Sequence, residues 1–84
     1  MIKTIIISHR LFSGFRVLLD LDNYDCVKDV IDFVINQLSA QFCILNLITL
    51  KKYVESGKWH FHGVRFISEL KSDSRNTIYL CAHD

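Results

Sequence analysis

The sequence predicts an α+β fold, a mixed sheet of four to five strands packed on one main helix. Two observations carry this. Residues 14–22 alternate in polarity like a half-buried strand, with Val17, Leu19 and Leu21 against Arg16, Asp20 and Asp22. The period then changes, and Val27, Val30, Val34 and Leu38 recur at three- and four-residue steps on one helical stripe. The switch falls at Asp22-Asn23-Tyr24-Asp25, a cluster of turn and helix-capping residue types.

The elements follow in order. The Ile5-Ile6-Ile7 run marks a first strand over 3–9, buried on both faces or on one face plus a neighbouring contact. Residues 11–14 turn, with Gly14 free to take a positive φ, and residues 15–22 return as the second strand. A helix is predicted over 26–40, with Asp25 as N-cap and Asp29 complementing the positive end of its dipole. Residues 42–54, FCILNLITLKKYV, fit two readings. They extend the helical packing, or Leu47–Val54 forms a strand that turns at residues 55–58; β-branched content and the Ser-Gly-Lys turn favour the strand.

Residues 59–66 read as a strand with Trp59 and Phe61 on one face, His60 and His62 on the other, and Gly63 as a break or bulge. Residues 67–72 make a short helical turn or loop. Residues 76–82 close the fold with Ile78 and Leu80 toward the core and Tyr79 and Cys81 opposite. First and last strands in this order pair in parallel at the sheet centre, because the helix supplies the long crossover. This is the plan of a β-grasp domain.

Composition narrows the function. A chain of 84 residues, 50% apolar, is read as one domain, residues 1–84, with no linker or repeat. No window reaches the roughly 18–20 apolar residues of a membrane span, and the apolar start lacks a small-residue cleavage site. A formal charge of +1 gives no reason to invoke nucleic acid or a membrane as partner. Cys26, Cys43 and Cys81 are dispersed and odd in number, which places the chain in a reducing compartment, cytoplasmic or nuclear.

From Gly14 to Ser39 the chain resembles the ubiquitin-like family without a gap. Val17, Leu19 and Leu21 fall on second-strand core positions, Asp25-Cys26-Val27 on the family's Asp-Thr-Ile helix entry, and Val30 and Val34 on its helix core. KWHFHG (58–63) is similar to Arg-Leu-Ile-Phe-Ala-Gly, and ISELKSDSRNTIYL (67–80) to Leu-Ser-Asp-Tyr-Asn-Ile-Gln-Lys-Glu-Ser-Thr-Leu-His-Leu. The blocks cover about two-thirds of the chain. An insertion before Lys58 and a missing loop after Phe66 depart from the pattern. No Gly-Gly occurs, so conjugation through the C-terminus is not expected.

The resemblance implies a non-enzymatic protein-interaction module that binds through the open face of its sheet. The family's contact positions match Phe12, His60 and Cys81, with Tyr79 beside them. Aromatic and imidazole side chains bury apolar area while keeping a polar tip wet, which suits recognition. No cofactor is expected. One alternative is a metal- or pH-responsive binder, since His60 and His62 share a face of one strand, Cys81 and His83 do the same on the last strand that neighbours it in this family, and the four donors thus fall on one sheet face. A second is a subunit docking through 42–54.

Charge is also uneven. Asp20, Asp22, Asp25, Asp29 and Asp32 precede a later group of Lys51, Lys52, Lys58, Arg65 and Lys71, a pattern of solvated faces or of head-to-tail self-association. Catalysis has little support. Ser13, His9 and Asp20 lack the flanks of a nucleophile elbow, and Cys26 matches a structural helix-entry position.

Overall fold

The computed structural model describes residues 1–9 and 14–83, with His83 described by its backbone. Strands β1 (Ile2–Ser8) and β2 (Arg16–Asp20) form a hairpin, followed by a 3₁₀ turn at Leu21–Asn23. Helices α1 (Val27–Ile44) and α2 (Ile48–Ser56) precede β3 (Lys58–Phe61). Helix α3 (Ile67–Ser72) and β4 (Thr77–His83) complete the chain. The described sheet is mixed and four-stranded, in the order β2-β1-β4-β3. β1 and β4 pair in parallel at the centre, while β2 and β3 flank them antiparallel.

The core forms on one side of this sheet. Ile5 and Ile7 from β1, Leu19 from β2, Ile78 and Leu80 from β4 and Phe61 from β3 are buried with Val30, Val34 and Leu38 of α1. The helical stripe seen in the sequence therefore covers the sheet. Trp59 packs partly buried against the same cluster. Ile6, between the two buried isoleucines, is half-buried on the other face.

Helix α1 starts and ends later than its composition suggested. Cys26, not Asp25, is the N-cap, and its side chain makes no capping hydrogen bond among the described residues. The upstream acidic cluster serves the 3₁₀ turn instead, where the Asp20 carboxylate accepts from the Asp22 N–H at 3.0 Å. At the other end, residues 40–44 contain no glycine or proline, so the helix runs on to Ile44. It stops because Asn46 takes a left-handed φ of 59°. The Leu47 N–H then bonds the Phe42 carbonyl at 2.8 Å and the Asn46 N–H bonds the Cys43 carbonyl at 3.1 Å, a Schellman ending.

That ending turns the chain into α2, so residues 48–56 are helical and the expected strand over Leu47–Val54 is not formed. Leu50 and Val54, one turn apart, face the core, and Lys51 pairs with Glu55 at 2.9 Å along the exposed side. β-branched content yields here to packing against α1, as weak local preferences do. The hairpin with a fifth strand is thereby removed, which leaves four.

β3 is also shorter than predicted. It ends at Phe61 because Gly63, at φ 71°, closes a turn in which the Val64 N–H bonds the Phe61 carbonyl at 3.1 Å. The expected strand through residue 66 gives way to this turn, and His62 leaves the strand alternation. The α2–β3 junction is fixed by Trp59, whose indole N–H donates to the Val54 carbonyl at 2.9 Å.

Among the described residues, one core-side side chain is a lysine. Lys3 shares the inward phase of Ile5 and Ile7, is only 4% exposed, and donates from Nζ to the carbonyls of Asp73 and Arg75. It fastens β1 to the loop that enters β4. No described helix is long and apolar enough to cross a membrane.

Candidate functional site

The face of the sheet opposite α1 is set by strand register. Thr4 pairs with Leu18 on one side and Thr77 on the other, and Ile6 with Arg16 and Tyr79. Ser8 pairs with Cys81, which in turn lies opposite His60. Paired residues in a sheet point to the same side. Ile2, Ile6, Leu18, Tyr79, Cys81 and His60 therefore share one surface running across all four strands.

Exposure on that surface is uneven. Leu18 is 67% and Tyr79 51% exposed, and Ile2 is exposed beside them. Ile6, Cys81 and His60 are half-buried between these projections. Next to Tyr79 and Cys81 lies a hollow of about 200 Å³, also bordered by His62, Val64, Asp73 and Arg75. Asp73 and Arg75 form a two-point ion pair across its rim, with Nη2 to Oδ2 at 2.7 Å and Nε to Oδ1 at 3.1 Å. The Arg75 side chain, with help from its backbone N–H, holds the Asp73 carboxyl far below the usual carboxylate range. The rim thus keeps one carboxylate and one guanidinium at any physiological pH.

The structure brings together three of the four contact positions implied by the resemblance. His60 and Cys81 are cross-strand partners, and Tyr79 is two residues along the same strand face. Phe12 lies outside the described residues. Sequence reading missed Leu18, although a signal was present. Leu18 is apolar at a phase where Arg16 and Asp20 are polar, and such a break in alternation marks a wet-side hydrophobe.

The histidine and cysteine set is only partly drawn together. His60 faces Cys81, His62 sits in the turn after β3, and the His83 side chain lies outside the described part. Among the described residues no group of three His, Cys, Asp or Glu side chains is placed to hold a metal ion. Cys26 and Cys43 are exposed thiols and Cys81 a half-buried one.

Two other features stand outside this face. His9, Tyr53 and Trp59 cluster beneath α2. The Tyr53 hydroxyl lies 3.3 Å from His9 Nε2, and the His9 ring stands edge-on to Tyr53 at 5.8 Å and tilted to Trp59 at 6.2 Å. His9 is buried by this contact, which ties α2 to the end of β1. Ser13, the hydroxyl in the dismissed Ser/His/Asp set, lies outside the described residues. The second feature is the α1–α2 corner, where Ile44, Leu45, Leu47 and Ile48 are between 42 and 83% exposed. None of the protein-family models, curated proteins and solved structures compared with this chain matches it.

Proposed function

We propose that this chain is a β-grasp, ubiquitin-like module that binds partner proteins through the open face of its sheet, without catalysis and without being conjugated itself. The observation that carries the reading is the cross-strand surface on the side away from α1, where Leu18 and Tyr79 project and Ile6 lies half-buried between them. Aliphatic and aromatic side chains that project together are the material of binding hot spots. The central parallel pair, with the crossover helix between its strands, supports the β-grasp assignment. Phe12, His60, Tyr79 and Cys81 are its proposed contact centre, with Leu18 added. Three free thiols support a reducing, cytoplasmic or nuclear setting for an adaptor of this kind.

A pull-down comparing wild type with Leu18→Ser/Tyr79→Ala tests this. The double variant should lose the partners that wild type retains. Unchanged retention by the double variant rejects the open face as the contact surface.

A second reading has its own observation. The α1–α2 corner displays four large aliphatic residues around the Asn46 turn, a surface suited to docking within a larger assembly. In that case the isolated chain should associate on size-exclusion chromatography, and Ile44→Ser/Leu45→Ser should return it to a monomer. A wild-type chain that elutes as a monomer at high concentration removes this reading.

A further inference from the structure

Strand β2 ends the described sheet on the side away from β3. Its hydrogen-bond phase follows from the hairpin. The Ile7 N–H donates to the Phe15 carbonyl at 3.1 Å, and the Leu21 N–H to the Met1 carbonyl at 2.9 Å. In that register Val17 and Leu19 aim their backbone groups at β1, while Arg16, Leu18 and the Asp20 N–H aim outward. Among the described residues, none of these outward backbone groups of Arg16 and Leu18 has a hydrogen bond, nor has the Asp20 N–H.

Sheet edges that stay single are commonly guarded by proline, by a bulge or by charges that would repel an added strand. β2 reads Arg-Val-Leu-Leu-Asp, with a leucine 67% exposed at its middle and opposite charges at its ends. Arg16 is exposed and makes no ion pair among the described residues. The Asp20 carboxylate uses Oδ1 for the Met1 ammonium at 2.8 Å and for the Asp22 N–H at 3.0 Å. Asp22 binds the same ammonium at 2.7 Å. Two carboxylates thus share one ammonium, and Lys71 adds only a longer-range attraction. The second oxygen of Asp20 has no partner among the described residues.

We propose that two copies of this chain join antiparallel along their β2 edges, about a two-fold axis at Leu18, into one continuous sheet. Leu18 exchanges two backbone hydrogen bonds with the partner's Leu18. Arg16 lies opposite the partner's Asp20, and Asp20 opposite the partner's Arg16. All three positions point to the face away from α1, so an Arg–Asp pair flanks the leucine pair on each side. The occupant is a second copy because the segment is complementary to itself read backwards. Parallel pairing in register would set Arg16 against Arg16, so charge selects the antiparallel arrangement. The two-fold pairing consumes both edges and closes. A strand of five residues makes this a weak association, populated at high protein concentration.

Sedimentation equilibrium of the full chain from about 10 μM to about 1 mM tests it. The expected result is a monomer–dimer equilibrium, with the Leu18 and Asp20 amides exchanging more slowly as concentration rises. Arg16→Glu and Asp20→Lys each set like charges at both ends and should weaken dimerisation about tenfold or more. An equimolar mixture of the two restores opposite charges at both ends and should dimerise about as wild type does. Circular dichroism shows that each variant is folded. Arg16→Glu and the amide exchange decide the matter even where Asp20→Lys, which loses the contacts of the 3₁₀ turn, does not fold. Tyr79→Ala and Ile44→Ser/Leu45→Ser should dimerise as wild type does, which separates this edge from the open face and from the corner between the helices. A wild-type chain monomeric at about 1 mM, association undiminished by Arg16→Glu, or a mixture of folded variants no better than its components overturns the inference.

Discussion

The Trp59 indole N–H donates to the Val54 carbonyl across a five-residue junction, and Gly57 lies beneath the bond. A Cβ at position 57 would stand 2.8 Å from Trp59 Nε1 and 3.4 Å from the Val54 oxygen. Gly57 has a φ of −66°, so the requirement is for space and not for an unusual backbone. Gly57→Ala should displace the indole and cost about 1–3 kcal/mol. Urea unfolding gives the stability, and a red shift of Trp59 emission in the folded state shows the displacement.

Lys3 is a more severe test of the core. Its buried ammonium satisfies the carbonyls of Asp73 and Arg75. Lys3→Met preserves most of the stem but removes both hydrogen bonds. The loss should be about 2–3 kcal/mol, measured by the same unfolding, and β4 amides near Thr77 should exchange faster with solvent.

Asn46 holds the corner between the two helices at a positive φ. Asn46→Gly relieves the strain of the left-handed conformation and should change stability by only a few tenths of a kcal/mol. Asn46→Val cannot adopt that conformation cheaply and should cost about 1–2 kcal/mol. Comparison of the two denaturation midpoints checks the assignment of this residue as the helix stop.

The ion pair at the hollow predicts an acid response. Arg75 depresses the Asp73 carboxyl in the folded chain, whereas an unfolded carboxyl titrates near 3.8. As pH falls the unfolded chain takes up the proton first. The contribution of the pair is therefore complete above about pH 4 and is lost as the pH drops toward the depressed folded value. Arg75→Ala should weaken this dependence by bringing the two values closer, while the backbone N–H at position 75 still donates to the Asp73 carboxylate. Carboxyl titration of Asp73 by NMR in both proteins measures it.

Much of the architecture was legible because burial is periodic. Val30, Val34 and Leu38 could only share a helical face, and Ile78 and Leu80 could only share a strand face. The α2 helix was not legible, because its identity rests on the reversal at Asn46 and on Leu50 and Val54 packing toward α1. The Asn46 signal was in the sequence, but an asparagine between two apolar residues reads equally as a turn before a strand.

Lys3 was hidden for a similar reason. A lysine at an inward phase looks like strand edge until the 73–75 carbonyls are seen above it. For the site, Tyr79 and Cys81 were placed by alternation alone. Their meeting with His60 needed the β3–β4 register, and Leu18 was passed over in favour of its buried neighbours.

We propose that partner proteins meet the sheet face bearing Tyr79. A photo-crosslinking side chain placed at position 79, compared with one at position 44, tests it most directly. Partner adducts are expected from position 79, vanishing with Leu18→Ser, with few from position 44. Adducts confined to position 44 would contradict it and move recognition to the corner between the helices.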